Sequence, residues 1–140
     1  MKILSIVVLA IAAVFLTTGA IPEAAPPASE GVVHLVLSQA LPSQPGTDVR
    51  VLTVDYPPGG STPPHEHPGY TYAYVLQGKV VSQVDAHKTE TYKAGEMWIE
   101  TPHEHHMVSK NASASEPARL LVFLLAPHGA PLTTFLGHKP

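Results

Sequence analysis

Short apolar and β-branched runs alternate with proline- and glycine-rich breaks along most of this 140-residue chain. No segment shows a sustained helical period, so the pattern does not indicate helices. The predicted strands span residues 31–41, 49–56, 71–76, 79–84, 89–92, 97–100, 106–109 and 118–125. Short strands that recur roughly every 8 to 12 residues, with turn signals between them, indicate an antiparallel sandwich or barrel. The pattern therefore predicts an all-β protein with a small antiparallel jelly-roll β-barrel, in which closure protects the strand edges.

The first twenty residues have the layout of a secretory signal peptide. Lys2 supplies a positive charge, residues 3–16 form an unbroken apolar run, and residues 17–20 are small or hydroxyl-bearing, as cleavage requires. The apolar run is short for a membrane span, and an uncleaved anchor is the alternative. We expect the cleaved chain to be secreted or periplasmic, with no attachment to a membrane.

The length of the chain allows one domain with a substantial core but not two domains. The predicted organisation is a signal peptide over residues 1–20, a flexible lead-in over 21–30, a β-barrel domain over 31–126 and a C-terminal tail over 127–140, with a short strand at 132–135 as one option. The lead-in is expected to be flexible because it is rich in proline and alanine.

Composition then narrows the possible partners. Without Lys2, seven of the eight Lys and Arg residues remain against eleven Asp and Glu, and the charges are scattered singly. Nucleic acid and anionic membranes are therefore not expected as partners. The chain has no cysteine, so an exported domain would depend on its core, on a metal or on oligomerisation. Five of the nine histidines fall in two clusters: His65, His67, His103, His105 and His106.

The first histidine cluster has the form His65-x-His67 and lies between proline- and glycine-rich segments. In an extended segment, residues i and i+2 point to the same face, about 7 Å apart along the strand. Both imidazoles can therefore turn toward one point, as a metal ion requires. A pair of this kind is weak evidence alone, so the rest of the chain must supply a third ligand.

Two sets of residue spacings match a known pattern. The first set is Gly59, His65, His67, Thr71 and Gly78. The second set is Gly95, Thr101, His103, His106 and Asn111. With these two sets and the stretch 74–78, the sequence resembles a single-domain cupin of the small, often exported bacterial kind, over about residues 49–126. The two motifs occur in the expected order with a predicted hairpin between them, which makes the resemblance much stronger than either motif alone.

The chain departs from the usual cupin pattern at four positions. Thr71 stands where the family usually has glutamate, and Thr101 replaces the usual proline. His103 replaces the usual glycine, and Asn111 lies one residue further on than the common spacing. A neutral threonine is a poor metal ligand, so Thr71 is the departure that matters most for the chemistry.

The resemblance implies a metal held in the mouth of the barrel by His65, His67 and His106. With Thr71 in place of glutamate, the expected ligands are three imidazoles and water. This set suits one divalent transition metal per chain, Fe, Zn, Cu or Ni, better than Mn or Mg. Open coordination positions are what a catalytic metal needs, whereas a purely structural site is closed.

The second histidine cluster offers more than one ligand. Counting forward from Gly95 selects His106, whereas counting back from Asn111 points to Met107, which cannot take the place of the family's histidine. His105 and His103 remain as alternative ligands. If they are not ligands, these two histidines are loop residues in solvent, or Glu104 or His103 leans over the mouth of the barrel and orients a ligand or transfers a proton.

The function implied by the resemblance is a metal-dependent oxidoreductase of dioxygenase type, acting on a small organic substrate. Glu104 and Tyr70 are weak candidates for the acid–base group. The alternatives are a non-catalytic cupin that binds a metal or small ligand outside the cytoplasm, a metal-dependent lyase or isomerase, and a cupin that folds without metal. A homodimer is a further family-level expectation, because the predicted strand at 31–41 could pair across a two-fold axis.

Overall fold

The computed structural model describes residues 29–137. The predicted signal peptide, most of the lead-in and the last three residues of the tail lie outside this range. Within it the chain contains eleven strands. No helix in this range has the length and apolar character to cross a membrane. The strands are β1 (Val32–Ala40), β2 (Thr47–Tyr56), β3 (Ser61–Thr62), β4 (His65–Glu66), β5 (Tyr70–Gln77), β6 (Lys79–Val84), β7 (Glu90–Lys93), β8 (Met97–Glu100), β9 (His105–Asn111), β10 (Ala118–Pro127) and β11 (Thr134–Phe135).

The strands form two antiparallel sheets. One sheet has the order β1-β2-β10-β5-β8, and the other has the order β11-β4-β9-β6-β7, with β3 also paired with β9. Strands that are distant in sequence, such as β2 and β10, are neighbours in space, as in a jelly roll. The predicted fold class, a small antiparallel jelly-roll β-barrel, is confirmed.

Alternation along the strands separates the core from the surface. In β10, Leu120, Val122 and Leu124 are buried, whereas Phe123 between them is exposed. Inward residues of the other strands, such as Val75, meet them in a common core. Full burial of such a side chain contributes roughly 1.5 to 3 kcal/mol, so the apolar alternation is the main source of stability.

Strand β1 differs from the others because all nine of its residues are exposed. It pairs only with β2 and forms the edge of its sheet. Val36 lies at a β-bulge and is 63% exposed, and Leu35 beside it is 55% exposed. An apolar edge strand of this kind is open to pairing with another chain.

The segment after β10 folds back over the barrel. At its root, the buried carboxylate of Asp48 lies 2.9 Å from Nδ1 of His128 and accepts a hydrogen bond of 3.3 Å from Arg50. Arg50 also donates to the carbonyl of Ala130. The segment ends in β11, which pairs with β4 and places Phe135 opposite His65. The predicted tail thus packs against the first histidine motif.

Candidate metal centre

The register of β4 and β9 brings the two histidine motifs together. His65 is the direct partner of His106 in this pairing. Their ring centroids are 4.9 Å apart, and those of His65 and His67 are 5.0 Å apart. His65 and His106 are only 5% and 3% exposed. The three imidazoles that the sequence selects therefore meet inside the barrel.

Hydrogen bonds fix the tautomer of two of these rings. Nδ1 of His65 donates to the carbonyl of Pro63, and Nδ1 of His67 donates to the carbonyl of Leu132, both at 2.7 Å. Because a carbonyl oxygen only accepts, each Nδ1 carries a proton and Nε2 of the neutral ring keeps its lone pair. This arrangement is typical of histidines that bind metals.

Burial keeps His65 uncharged. Removal from water lowers the pKa of its imidazole to about 4, and the neighbouring His106 and His67 act in the same direction, against the hydrogen bond to Pro63. An imidazole must be neutral to bind a metal. His65 therefore has its lone pair available at neutral pH.

Glu100 is a fourth polar side chain in this cluster, and the sequence analysis did not select it. It is 2% exposed and lies at the end of β8. Its Oε1 accepts a hydrogen bond of 2.9 Å from Nε1 of Trp98 and lies 3.2 Å from Nδ1 of His106. Its Oε2 is buried without a hydrogen-bond partner. An unpartnered buried carboxylate oxygen is rare in folded proteins because removing it from water is costly.

The Glu100 carboxylate is ionised at neutral pH. Burial raises its pKa, but the hydrogen bond from His106 and the charges of His106 and His67 lower it, and the net shift is downward. The cluster thus combines three imidazoles with one negative charge.

His106 is engaged at both ring nitrogens. Nδ1 faces Oε1 of Glu100, and Nε2 lies 2.8 Å from Oγ of Ser82. Across residues 29–137, no group of three or more His, Cys, Asp or Glu side chains is arranged to hold a metal ion. Coordination by His106 would exchange one of its two hydrogen bonds for a metal bond. The donor set itself, with the unpartnered Oε2 of Glu100 beside the imidazoles, fits a divalent transition metal.

A cavity of about 370 Å³ lies next to this cluster. The histidines, Glu100 and Trp98 form part of its wall. Most of the remaining wall is apolar and comes from Leu52, Val54, Leu120, Val122, Leu132 and Phe135. Two of these side chains, Leu132 and Phe135, belong to the segment that follows β10. The C-terminal segment therefore helps to form the cavity as well as orienting His67.

Glu104 and Tyr70, the predicted acid–base candidates, do not line this cavity. Oε2 of Glu104 accepts a hydrogen bond of 2.6 Å from the backbone N–H of Thr101 and closes the turn between them. Tyr70 is 48% exposed because strand alternation turns it outward, whereas Thr71 beside it points inward. Neither side chain is placed to exchange a proton inside the cavity.

His103 and His105, the alternative ligands, form a separate surface group with Glu66. Nδ1 of His103 lies 3.3 Å from Oε1 of Glu66, and Nε2 of His105 lies 3.8 Å from its Oε2. Both histidines are exposed. Because neighbouring residues of a strand face opposite sides, His106 points inward and His105 points outward. The structure therefore does not bring the alternative ligands to the cavity.

Comparison with known proteins identifies the fold family. The sequence model described as "Cupin domain" matches residues 52–124, just over half of the chain. A search of curated proteins found no match. Similar solved structures include a conserved protein with a double-stranded β-helix domain from Klebsiella pneumoniae, with 23% identity, a TM-score of 0.57 and coverage of 76% of this chain and 85% of that one.

Two further structures are those of enzymes. The DMSP lyase DddQ from Ruegeria pomeroyi has 14% identity and a TM-score of 0.62, with 79% of this chain and 53% of that one covered. Oxalate oxidase in complex with glycolate has 23% identity and a TM-score of 0.55, with 63% and 46% covered. This chain spans about half the length of both enzymes, and at these identities the likeness shows the fold alone. On the sequence match and the jelly-roll fold together, the chain belongs to the cupin domain family.

Proposed function

We propose that this protein is a metal-dependent cupin oxidoreductase of dioxygenase type that acts on a small organic molecule. The observation that carries this proposal is the meeting of three imidazoles, two of them buried and that of His67 half-buried, with an ionised carboxylate at an apolar cavity. His65, His67 and His106 would hold the metal. When bound, the ion would supply Lewis-acid or redox chemistry at its open coordination positions.

The cavity wall favours an uncharged substrate of modest size. Its volume of about 370 Å³ is near the lower end of the range for small-molecule pockets. No Lys or Arg is among the described residues that line it, so a substrate carboxylate would find no cationic side chain there. The apolar walls would bind an aliphatic or aromatic body and exclude water from the reacting group.

Fixed polar groups at the cavity would orient the reactants. The Leu132 carbonyl holds the His67 ring in one tautomer, and the Pro63 carbonyl does the same for His65. Tyr56 and Ser109, which also line the cavity, are hydrogen-bonded to each other at 2.8 Å and offer hydroxyl groups to a substrate oxygen. No acid–base group is assigned to the reaction.

Metal analysis of the purified chain tests this proposal first. The protein should take up about one Fe, Zn, Cu or Ni ion per chain after reconstitution, and His65→Ala should lose it. Oxygen uptake by the metal-loaded protein with a panel of phenols, diketones and thiols then tests the redox activity. Absence of stoichiometric metal in the reconstituted wild-type protein would contradict metal dependence altogether.

A metal-loaded protein that consumes no oxygen would contradict the oxidoreductase proposal in particular. Product analysis of the same panel would then separate a lyase or isomerase, such as the lyase among its structural neighbours, from a non-catalytic binding protein. Conversion without oxygen would indicate a lyase or isomerase. Ligand binding without conversion would indicate a binding protein.

We further propose that the chain is exported and forms a homodimer through β1. Export is supported by the charged, apolar and small segments of residues 1–20. Dimerisation is supported by the exposed apolar side chains of β1 and its position at the sheet edge.

A further inference from the structure

Two hydrogen-bond acceptors, each with a free lone pair, face each other in the candidate metal centre. Nε2 of His67 lies 3.8 Å from Oε2 of Glu100, and this separation is too long for a hydrogen bond. In the neutral form that binds metals, the proton of His67 is on Nδ1, which donates to the Leu132 carbonyl. Oε2 of Glu100 has no hydrogen-bond partner. A cation is the kind of group that satisfies two such acceptors at once.

The distance between these two atoms suits a shared metal ion. Nitrogen and oxygen ligands lie about 2.1 Å from zinc and similar divalent ions. Two atoms 3.8 Å apart can both lie at that distance from one ion. The other oxygen of Glu100 is held by Trp98 and His106, so Oε2 is kept in place toward His67. The carboxylate is therefore oriented before any metal binds.

Strand pairing explains why the carboxylate comes from position 100. Thr71, at the position where the cupin pattern usually has glutamate, is the direct partner of Glu100 in the β5–β8 pairing. Side chains of such partners project from the same face of the sheet, with Cβ atoms about 4.5 to 5.5 Å apart. Both are buried, Thr71 at 1% and Glu100 at 2% exposure. A carboxylate on β8 can thus reach the region that a glutamate on β5 would occupy.

We propose that Glu100 is the fourth metal ligand and supplies through Oε2 the carboxylate that Thr71 cannot. This inference rests on the proposed metal binding and deepens it. It changes the expected metal preference, because a carboxylate beside three imidazoles favours harder ions such as Mn(II) more than imidazoles alone do. Glu100 would then set which ion the protein selects.

Glu100→Gln is the direct test, because glutamine has the same shape and keeps an oxygen that can accept from Trp98 and His106. The affinities of the full chain for Mn(II) and Zn(II) are measured by competition with a chelating dye. We expect the substitution to weaken Mn(II) binding about 100-fold and Zn(II) binding by about tenfold or less. The double variant Thr71→Glu/Glu100→Gln moves the carboxylate to the neighbouring strand and should recover most of the Mn(II) affinity.

Trp98→Phe is the matched control, since it removes one hydrogen bond to Oε1 but leaves the carboxylate. Trp98→Phe should weaken the binding of Mn(II) and of Zn(II) by similar factors. Thermal unfolding of the metal-free variants checks that each one folds. If Glu100→Gln also weakens both metals equally and the double variant recovers nothing, Glu100 only orients His106 and the inference is overturned. A wild-type protein that binds neither ion overturns the proposed function as well, so the two failures are distinguishable.

Discussion

Replacing Tyr56 with phenylalanine should weaken the connection between the two sheets. Tyr56 ends β2 and is 2% exposed. Its hydroxyl lies 2.6 Å from Oγ1 of Thr62 on β3 and 2.8 Å from Oγ of Ser109 on β9, both in the opposite sheet. Burial raises the pKa of the phenol, so it stays neutral and shares its proton within this group.

The size of the effect follows from the groups that lose their partner. Tyr56→Phe would leave the Ser109 hydroxyl buried and without this hydrogen bond. An unpaired buried polar group costs about 1 to 3 kcal/mol, so we expect a loss of about 2 kcal/mol in the free energy of unfolding. For a domain of this size that loss corresponds to a fall of roughly 8 °C in Tm.

Urea unfolding of the wild-type protein, Tyr56→Phe, Ser109→Ala and the double variant measures the coupling between these two hydroxyl groups. Ser109→Ala alone should cost about 1 kcal/mol, and the double variant should cost no more than Tyr56→Phe because no stranded hydroxyl remains at position 109. Tyr92→Phe is the matched control, since its hydroxyl makes an exposed hydrogen bond to Glu90 and its loss should change stability by less than about 0.5 kcal/mol. Equal stabilities of Tyr56→Phe and Tyr92→Phe would refute the reasoning.

Three further changes have defined outcomes. Gly69→Ala would place a Cβ atom against the Leu125 carbonyl oxygen, so thermal unfolding should show a loss of about 3 kcal/mol. Gly129→Ala is the comparison: its Cβ meets nothing within 4 Å, so only the strain of its φ of 73° remains, at a smaller cost of about 1 to 2 kcal/mol. In chelator-treated protein, His65 has its pKa lowered from 6.5 to about 4. Between pH 6.5 and 4 the unfolded chain binds a proton at His65 and the folded protein does not, so the free energy of unfolding should fall by about 3 kcal/mol as the pH drops from 6.5 to 4. Urea unfolding at a series of pH values measures this fall. A His65→Asn variant that shows the same fall would contradict the prediction. Val36→Lys should convert a dimer to a monomer in sedimentation, and a monomeric wild-type protein would contradict the proposed interface.

Most strands could be predicted because each carries its own local signal. The predicted strands at 79–84 and 97–100 have the same bounds as β6 and β8, and the other long strands differ by one or two residues at most of their ends. The short strands β3 and β4 fall between the predicted strands at 49–56 and 71–76, where no strand was predicted. Each has only two residues and exists through its pairing with β9, so no local alternation marks it.

The histidines could be selected from spacing, but their environment could not. His65 and His106 are brought together by the β4–β9 register, and the resemblance to cupins, rather than any predicted strand, implied that they would meet. The group that orients His67 is the backbone carbonyl of Leu132, 65 residues away in the chain. Every residue type carries a backbone carbonyl, so the sequence does not mark which residue will accept this hydrogen bond. Contacts of this kind become visible only when the fold positions the C-terminal segment.

The position of Glu100 relative to Trp98 in the sequence indicated an inward side chain, but Glu100 is not one of the residues that the matched motifs contain. It lies two residues after Trp98 on β8, so an inward tryptophan implies an inward carboxylate by strand alternation. An acidic residue in a strand is nevertheless expected to face water unless it is paired. What places Glu100 in the centre is its pairing with Thr71, a relation between strands separated by a long stretch of sequence. A neutral residue at a motif position therefore does not establish that the site lacks a carboxylate, because the partner on the next strand can supply one.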